Sequence, residues 1–201
     1  MNMNIMLENI FNEIKIPEKN PLRVLEIGTG DGKGTTLYVK NILDNMKLNY
    51  KIDSYEGVKS CYDSAKNYWD HTEKVNIVNK FFCNKEDISK MVIPNIISEG
   101  VLDLNHYKGE YLGIAAAQGN FENTIDYVPD IVLIDSWRFC HVAIVNKCKE
   151  FCGENTIFIM EDDFDNYGET KILKKYFDIK NLKNYDGDLS QGVWNFVTFT
   201  L

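Results

Sequence analysis

The chain has 201 residues, of which 44% are hydrophobic and 26% charged. That is ordinary globular usage, with no apolar run near the ~20 residues of a membrane span, which argues against a disordered chain, a coiled coil and an integral membrane protein. Its 22 basic and 30 acidic side chains leave a net charge of −8, so a nucleic acid would have to be gripped against the overall field and none is expected as a partner.

A short leading helix is predicted around Ile5, Ile10 and Ile14, broken by Asn20-Pro21 before a buried strand, Leu22 to Ile27. A glycine-rich turn occupies 28–34. Thr35 to Met46 has helical spacing, Tyr50 to Tyr55 alternates as a strand, 59–70 reads as a helix with Tyr62, Ala65 and Trp69 on one side, and Val75 to Phe82 is a third strand. A helix follows from Glu86 to about Ser98. Residues 99–128, of mixed polarity and carrying Asn105, His106, Tyr107 and Tyr111, read as an insertion or lid whose side chains suit hydroxyl bonding and ring stacking.

Ile131 to Ile134 is an apolar run too short for a helix and ends at Asp135; Thr156 to Met160 repeats the pattern before Glu161-Asp162-Asp163. Both are read as central parallel strands capped by acids. Helices are predicted over 139–151 and 168–176, and a final strand over 192–199 pairs with 178–185. Alternating βα units closed by a hairpin predict a three-layer α/β sheet. No repeat or low-complexity linker interrupts it, so residues 1–201 are read as one domain. Cys61, Cys83, Cys140, Cys148 and Cys152 form no CxxC pair, and MNMNIMLENIF lacks the basic start and apolar core of a signal peptide. A reduced, cytoplasmic protein is expected. Zinc is not, because the spacing of Cys140, His141, Cys148 and Cys152 is not that of a zinc knuckle or ribbon.

The segment Glu26-Ile27-Gly28-Thr29-Gly30-Asp31-Gly32-Lys33-Gly34 stands between the first strand and its helix, where glycines admit a ligand to the backbone and the helix N-terminus offers free N–H groups. The dinucleotide fingerprint GxGxxG and the phosphate loop GxxxxGK[ST] both fail here, which disfavours NAD and ATP. An acid followed by GxGxG after an apolar strand resembles motif I of the class I S-adenosylmethionine (SAM) methyltransferases. The resemblance implies a Rossmann-like three-layer sandwich with a mostly parallel seven-stranded sheet and an antiparallel C-terminal hairpin. It also implies SAM contacts from Glu26, Gly28, Thr29, Gly30 and Gly32, and Glu56 at the end of the second strand as the acceptor of the ribose hydroxyls. A carboxylate can take both hydroxyl protons.

Asp135, Asp162 and Asp163 form the second constellation. Neighbouring strand ends lie about 5 Å apart, and acids converging there require a cation, a shared proton or water; solvated acids at strand ends are the plainer reading. Ile134-Asp135-Ser136-Trp137-Arg138 and Met160-Glu161-Asp162-Asp163-Phe164 resemble the metal-binding segments of catechol-type O-methyltransferases and of antibiotic-pathway sugar O-methyltransferases. The resemblance implies a divalent cation, Mg²⁺ or Mn²⁺, on Asp135, Asp162 and Asp163, with a hydroxyl of a sugar, glycan or other small polyhydroxyl compound as acceptor. Arg138 stands where the catechol enzymes carry a basic lysine and Trp137 where the sugar enzymes carry an Asp. Arg138 cannot act as a base and would instead orient the substrate, while His141 is the candidate base. A metal-independent methyltransferase acting on nitrogen or protein, and a SAM-fold protein without catalysis, remain as alternatives.

Overall fold

Seven strands form a single sheet in the computed structural model, which describes residues 3–91, 125–136, 140–162, 169–187 and 195–201. β1 (Leu22–Ile27), β2 (Tyr50–Tyr55), β3 (Val75–Val78), β4 (Ile131–Ile134) and β5 (Ile157–Asp162) run parallel. β7 (Asn195–Thr200) lies antiparallel between β5 and β6 (Lys180–Tyr185), giving the order β3-β2-β1-β4-β5-β7-β6. Every residue of β4 is buried, as a central parallel strand covered on both faces requires.

On one face lie α1 (Met3–Glu13), α2 (Thr35–Asn45) and α3 (Lys59–Trp69). Met6, Leu7, Ile10 and Phe11 of α1 pack in one cluster with Val24, Leu133 and Ile159 of the sheet. On the other, α5 (His141–Cys148) and α6 (Glu169–Tyr176) supply Val142, Val145 and Leu173 to a cluster with Leu25, Val132, Phe158 and Met160. α4 (Lys85–Met91) follows β3. The expected seven-stranded, mostly parallel α/β sandwich with an antiparallel C-terminal pair is therefore the fold observed.

Three boundaries differ from expectation. β3 ends at Val78, not Phe82, because β2 gives it no ladder beyond that point: Glu56 N–H donates to the Val78 carbonyl at 2.9 Å and Asn79 Nδ2 turns back to the Glu56 carbonyl at 2.9 Å. β5 runs two residues past Met160, since β7 pairs with Glu161 and Asp162. The helix expected over 139–151 spans His141–Cys148. Residues 99–124 of the expected insertion lie outside the described residues, and Trp69, on the face of the 59–70 helix shared with Ala65, is buried. All five cysteines are free thiols, and no helix among the described residues is long and apolar enough to cross a membrane.

Candidate functional site

The turn from β1 into α2 is shaped by its contacts with the next two strand ends. Gly28 has φ +100°, and a Cβ there would lie 1.7 Å from the Asp135 carbonyl oxygen, so only glycine lets β1 and β4 meet at this level. Gly30 has φ +57° with nothing within 4 Å of a Cβ, which leaves open space over its backbone. Thr29 Oγ1 and Ser54 Oγ share a hydrogen bond of 2.5 Å, and the Gly28 N–H donates to the Tyr55 carbonyl at 3.0 Å. Beneath the turn, buried Trp69 donates from Nε1 to the Gly32 carbonyl at 3.0 Å.

Three carboxylates surround this turn. Glu26 is fully buried and its Oε2 accepts from Thr36 Oγ1 at 2.7 Å and Ser54 Oγ at 2.5 Å, while its Oε1 has no partner. Burial pushes its carboxyl up to about 7, the two hydroxyl bonds opposing this and the charges of Asp135 and Glu56 adding to it. Glu56 follows β2; Oε2 accepts the Gly30 N–H and Oε1 the Val58 N–H, both at 2.7 Å. Burial raises its pKa above the usual carboxylate range against the pull of those N–H groups, and Asp135 raises it further. Asp135 follows β4, its N–H donating to the Ile27 carbonyl at 3.0 Å and its Oδ2 accepting from Thr35 Oγ1 at 2.5 Å.

A cavity of about 350 Å³ opens here, lined by Gly28, Gly30, Glu56, Phe81, Asp135 and Cys140 among others. It lies at the carboxyl ends of the parallel strands, where the order passes from β1 to β4, the usual ligand position in an open α/β sheet. A larger groove of about 1260 Å³, against Ile16, Val128 and Lys180, is lined by none of the predicted site residues.

The structure thus brings together Glu26, Gly28, Thr29, Gly30, Gly32, Glu56 and Asp135. His141 is buried at the start of α5, its Nε2 3.1 Å from the Ser136 carbonyl, and does not line the cavity. Ile134 pairs with Met160, so Glu161 stands level with Asp135, and Asp162 one residue further along β5 is paired with Asn195. Asp163, Arg138, Asn105, His106, Tyr107 and Tyr111 lie outside the described residues, and among the described ones no group of three His, Cys, Asp or Glu side chains is disposed to hold a metal. Sequence reasoning missed Thr35, Ser54 and Trp69. For the first two the available signal was a hydroxyl placed level with an acid on a neighbouring element. Trp69, read only as part of one helix face, has no such signal.

No protein-family model and no curated protein matches the sequence. The structure is similar to an rRNA methylase from Streptococcus thermophilus, with 8% identity, 100% of this chain and 97% of that one covered, and a TM-score of 0.58. It is also similar to Aeropyrum pernix fibrillarin in complex with natively bound SAM, with 12% identity, 98% and 74% covered, and a TM-score of 0.56. A third likeness is to the CMeT domain of the citrinin polyketide synthase, with 11% identity and a TM-score of 0.60; 98% of this chain is covered, and the chain spans 50% of the length of that one. The fold is that of the class I SAM-dependent methyltransferases.

Proposed function

We propose that the protein is a SAM-dependent O-methyltransferase acting on a hydroxyl of a sugar, a glycan or another small polyhydroxyl acceptor. The observation that supports it most is the Glu56–Gly30 bond in the wall of the cavity. It aims a carboxylate at the open space over the glycine turn with acceptor capacity left on it. When bound, SAM supplies a methyl group activated by a positively charged sulfonium. The residues suit that cofactor: acids around the turn favour a cation, and the orphaned Glu26 Oε1 lies beneath the place assigned to its amino-acid end. Glu56 would hold the ribose hydroxyls. Asp135, at the cavity, would orient the acceptor hydroxyl and receive its proton as the O–CH₃ bond forms. His141, bonded to Ser136, supports the loop that carries Asp135 in this reading.

Sugars stand ahead of catechols because the Asp-Asp-aromatic segment at 162–164 resembles the sugar enzymes. A polyanionic acceptor is disfavoured by the net charge of −8. In a thermal-shift panel, SAM and S-adenosylhomocysteine should raise the melting temperature while NAD and ATP should not, since only ligands of the native state stabilise it. Glu56→Ala should weaken SAM binding by about 1–3 kcal/mol, the scale of lost charge-assisted hydrogen bonds; unchanged affinity by calorimetry in a folded variant would remove the ribose assignment. A methyl-transfer screen with turnover of catechols and of no saccharide would move the acceptor.

The divalent ion is a separate part of the proposal. Of its three ligands only the Asp135 carboxylate is described, and that group accepts the Thr35 hydroxyl, so no step above depends on the ion. The expected result is loss of turnover in EDTA with recovery on adding Mg²⁺ or Mn²⁺. Full turnover in EDTA would refute the metal and leave the SAM reading standing.

A further inference from the structure

Along the carboxyl edge of the sheet the order is Lys80 after β3, Glu56 after β2, the glycine turn after β1 and Asp135 after β4. Glu56 and Asp135 are the acids among the described residues lining the cavity, and Lys80, the base there, stands beyond Glu56 as seen from Asp135. The backbone of Asp135 is fixed by its bond to Ile27 and by its close approach to Gly28, and its carboxylate by Thr35. Thr35 is buried in the first turn of α2, its hydroxyl set between that carboxylate and Met3 Sδ, 3.8 Å away on α1. Sulfur is the weaker acceptor, so the single hydroxyl proton goes to Asp135. A carboxylate tied in this way is held at the cavity and does not swing toward solvent.

We infer that Asp135, clamped by Thr35, sorts the methyl donor from the spent product by charge, favouring a cationic sulfonium over a neutral thioether at the same place. The inference rests on the SAM reading above. Methyl transfer breaks the S–CH₃ bond with its electron pair left on sulfur, forms an O–CH₃ bond and releases the hydroxyl proton. The sulfur that faces the pocket therefore passes from positive to neutral. With the ribose on Glu56 and the turn beneath the amino-acid end, the sulfur would lie in the cavity that Asp135 also lines, and a half-buried carboxylate within a few ångströms of it would discriminate between the two states by about tenfold, less as the side chain gains freedom. The loss of attraction falls on the product alone, which assists its departure.

The test needs no acceptor: SAM and S-adenosylhomocysteine are titrated calorimetrically into the native protein and into Asp135→Asn, Thr35→Val and Thr35→Ser. The preference for SAM, taken as the ratio of the two dissociation constants, should fall about tenfold in Asp135→Asn and about threefold in Thr35→Val, and return in Thr35→Ser. A merely structural role for Thr35 would weaken both ligands alike and leave the ratio unmoved. An unchanged ratio in Asp135→Asn, with both ligands still bound, overturns the inference. If that variant does not fold, an unchanged ratio in Thr35→Val overturns it instead. Failure of the native protein to bind either ligand overturns the SAM reading itself, a result distinct from the other two.

Discussion

Gly28→Ala should abolish detectable binding of S-adenosylhomocysteine and destabilise the protein by about 3 kcal/mol or more. Part of this is the cost of holding an alanine at φ +100°, and the rest is the contact its Cβ would make 1.7 Å from the Asp135 carbonyl oxygen, which cannot be relieved without separating β1 from β4. At ~2–4 °C per kcal/mol for a chain of this size, the melting temperature should fall by about 6–12 °C. Gly30→Ala is the internal control. Its φ of +57° is tolerated at about 1 kcal/mol and its Cβ meets nothing within 4 Å, so that variant should stay folded and lose only the cofactor, whose approach the methyl group blocks. A Gly28→Ala protein that melts and binds as the native one does would show that the turn is not where the cofactor lies.

Glu26→Gln should change how stability depends on pH. The native carboxyl is raised from 4.5 to about 7, chiefly by burial. Between those values the folded chain holds a proton that the unfolded chain has lost, so stability is full below about 4.5, falls as pH rises, and stays diminished above about 7. The loss is on the order of 3 kcal/mol for this group. An amide carries no such charge, and the Thr36 and Ser54 hydroxyls can reorient to serve it. The variant should therefore show a flatter melting-temperature profile between pH 5 and 8 than the native protein. Some slope should persist, because Glu56 is shifted in the same direction. Identical profiles for native and variant proteins would mean that Glu26 does not titrate in this window.

The sheet was legible because its strands announce themselves in two ways. β4 and β5 are short apolar runs that lead into acids, and β7 is rich in β-branched and aromatic residues. Much of the candidate site was legible for the same reason: the glycine turn, Glu56 and Asp135 are local features, read from residues adjacent in sequence. What escaped was non-local. The bond from Thr35 to Asp135 joins residues 100 apart, and that from Trp69 to Gly32 residues 37 apart. Nothing in the local pattern around Trp69 separates an indole that fills space from one that also holds a carbonyl. The overextension of β3 has a related cause. Phe81 and Phe82 bring apolar residues back after a two-residue gap beyond Val78, yet β3 is an edge strand whose only neighbour among the described residues has already turned away at Glu56, and hydrophobicity alone does not show where a ladder runs out of partners.

The placement of β7 between β5 and β6 bears on how the chain acquires its structure. Among the described residues β6 is hydrogen-bonded in the sheet to β7 alone, and β5 has β4 on one side only until β7 arrives. During synthesis two unfinished ladders therefore wait for residues 195–200, exposing backbone donors and acceptors of the kind that templates aggregation. The five parallel strands can begin to assemble around β1 and β4, but the long loop closures between them are slow, and the central strand β5 is sealed last. Loss of this late strand would leave a nascent chain with much of its core formed and the edge of β5 open for a holding chaperone, or another copy of itself, to recognise.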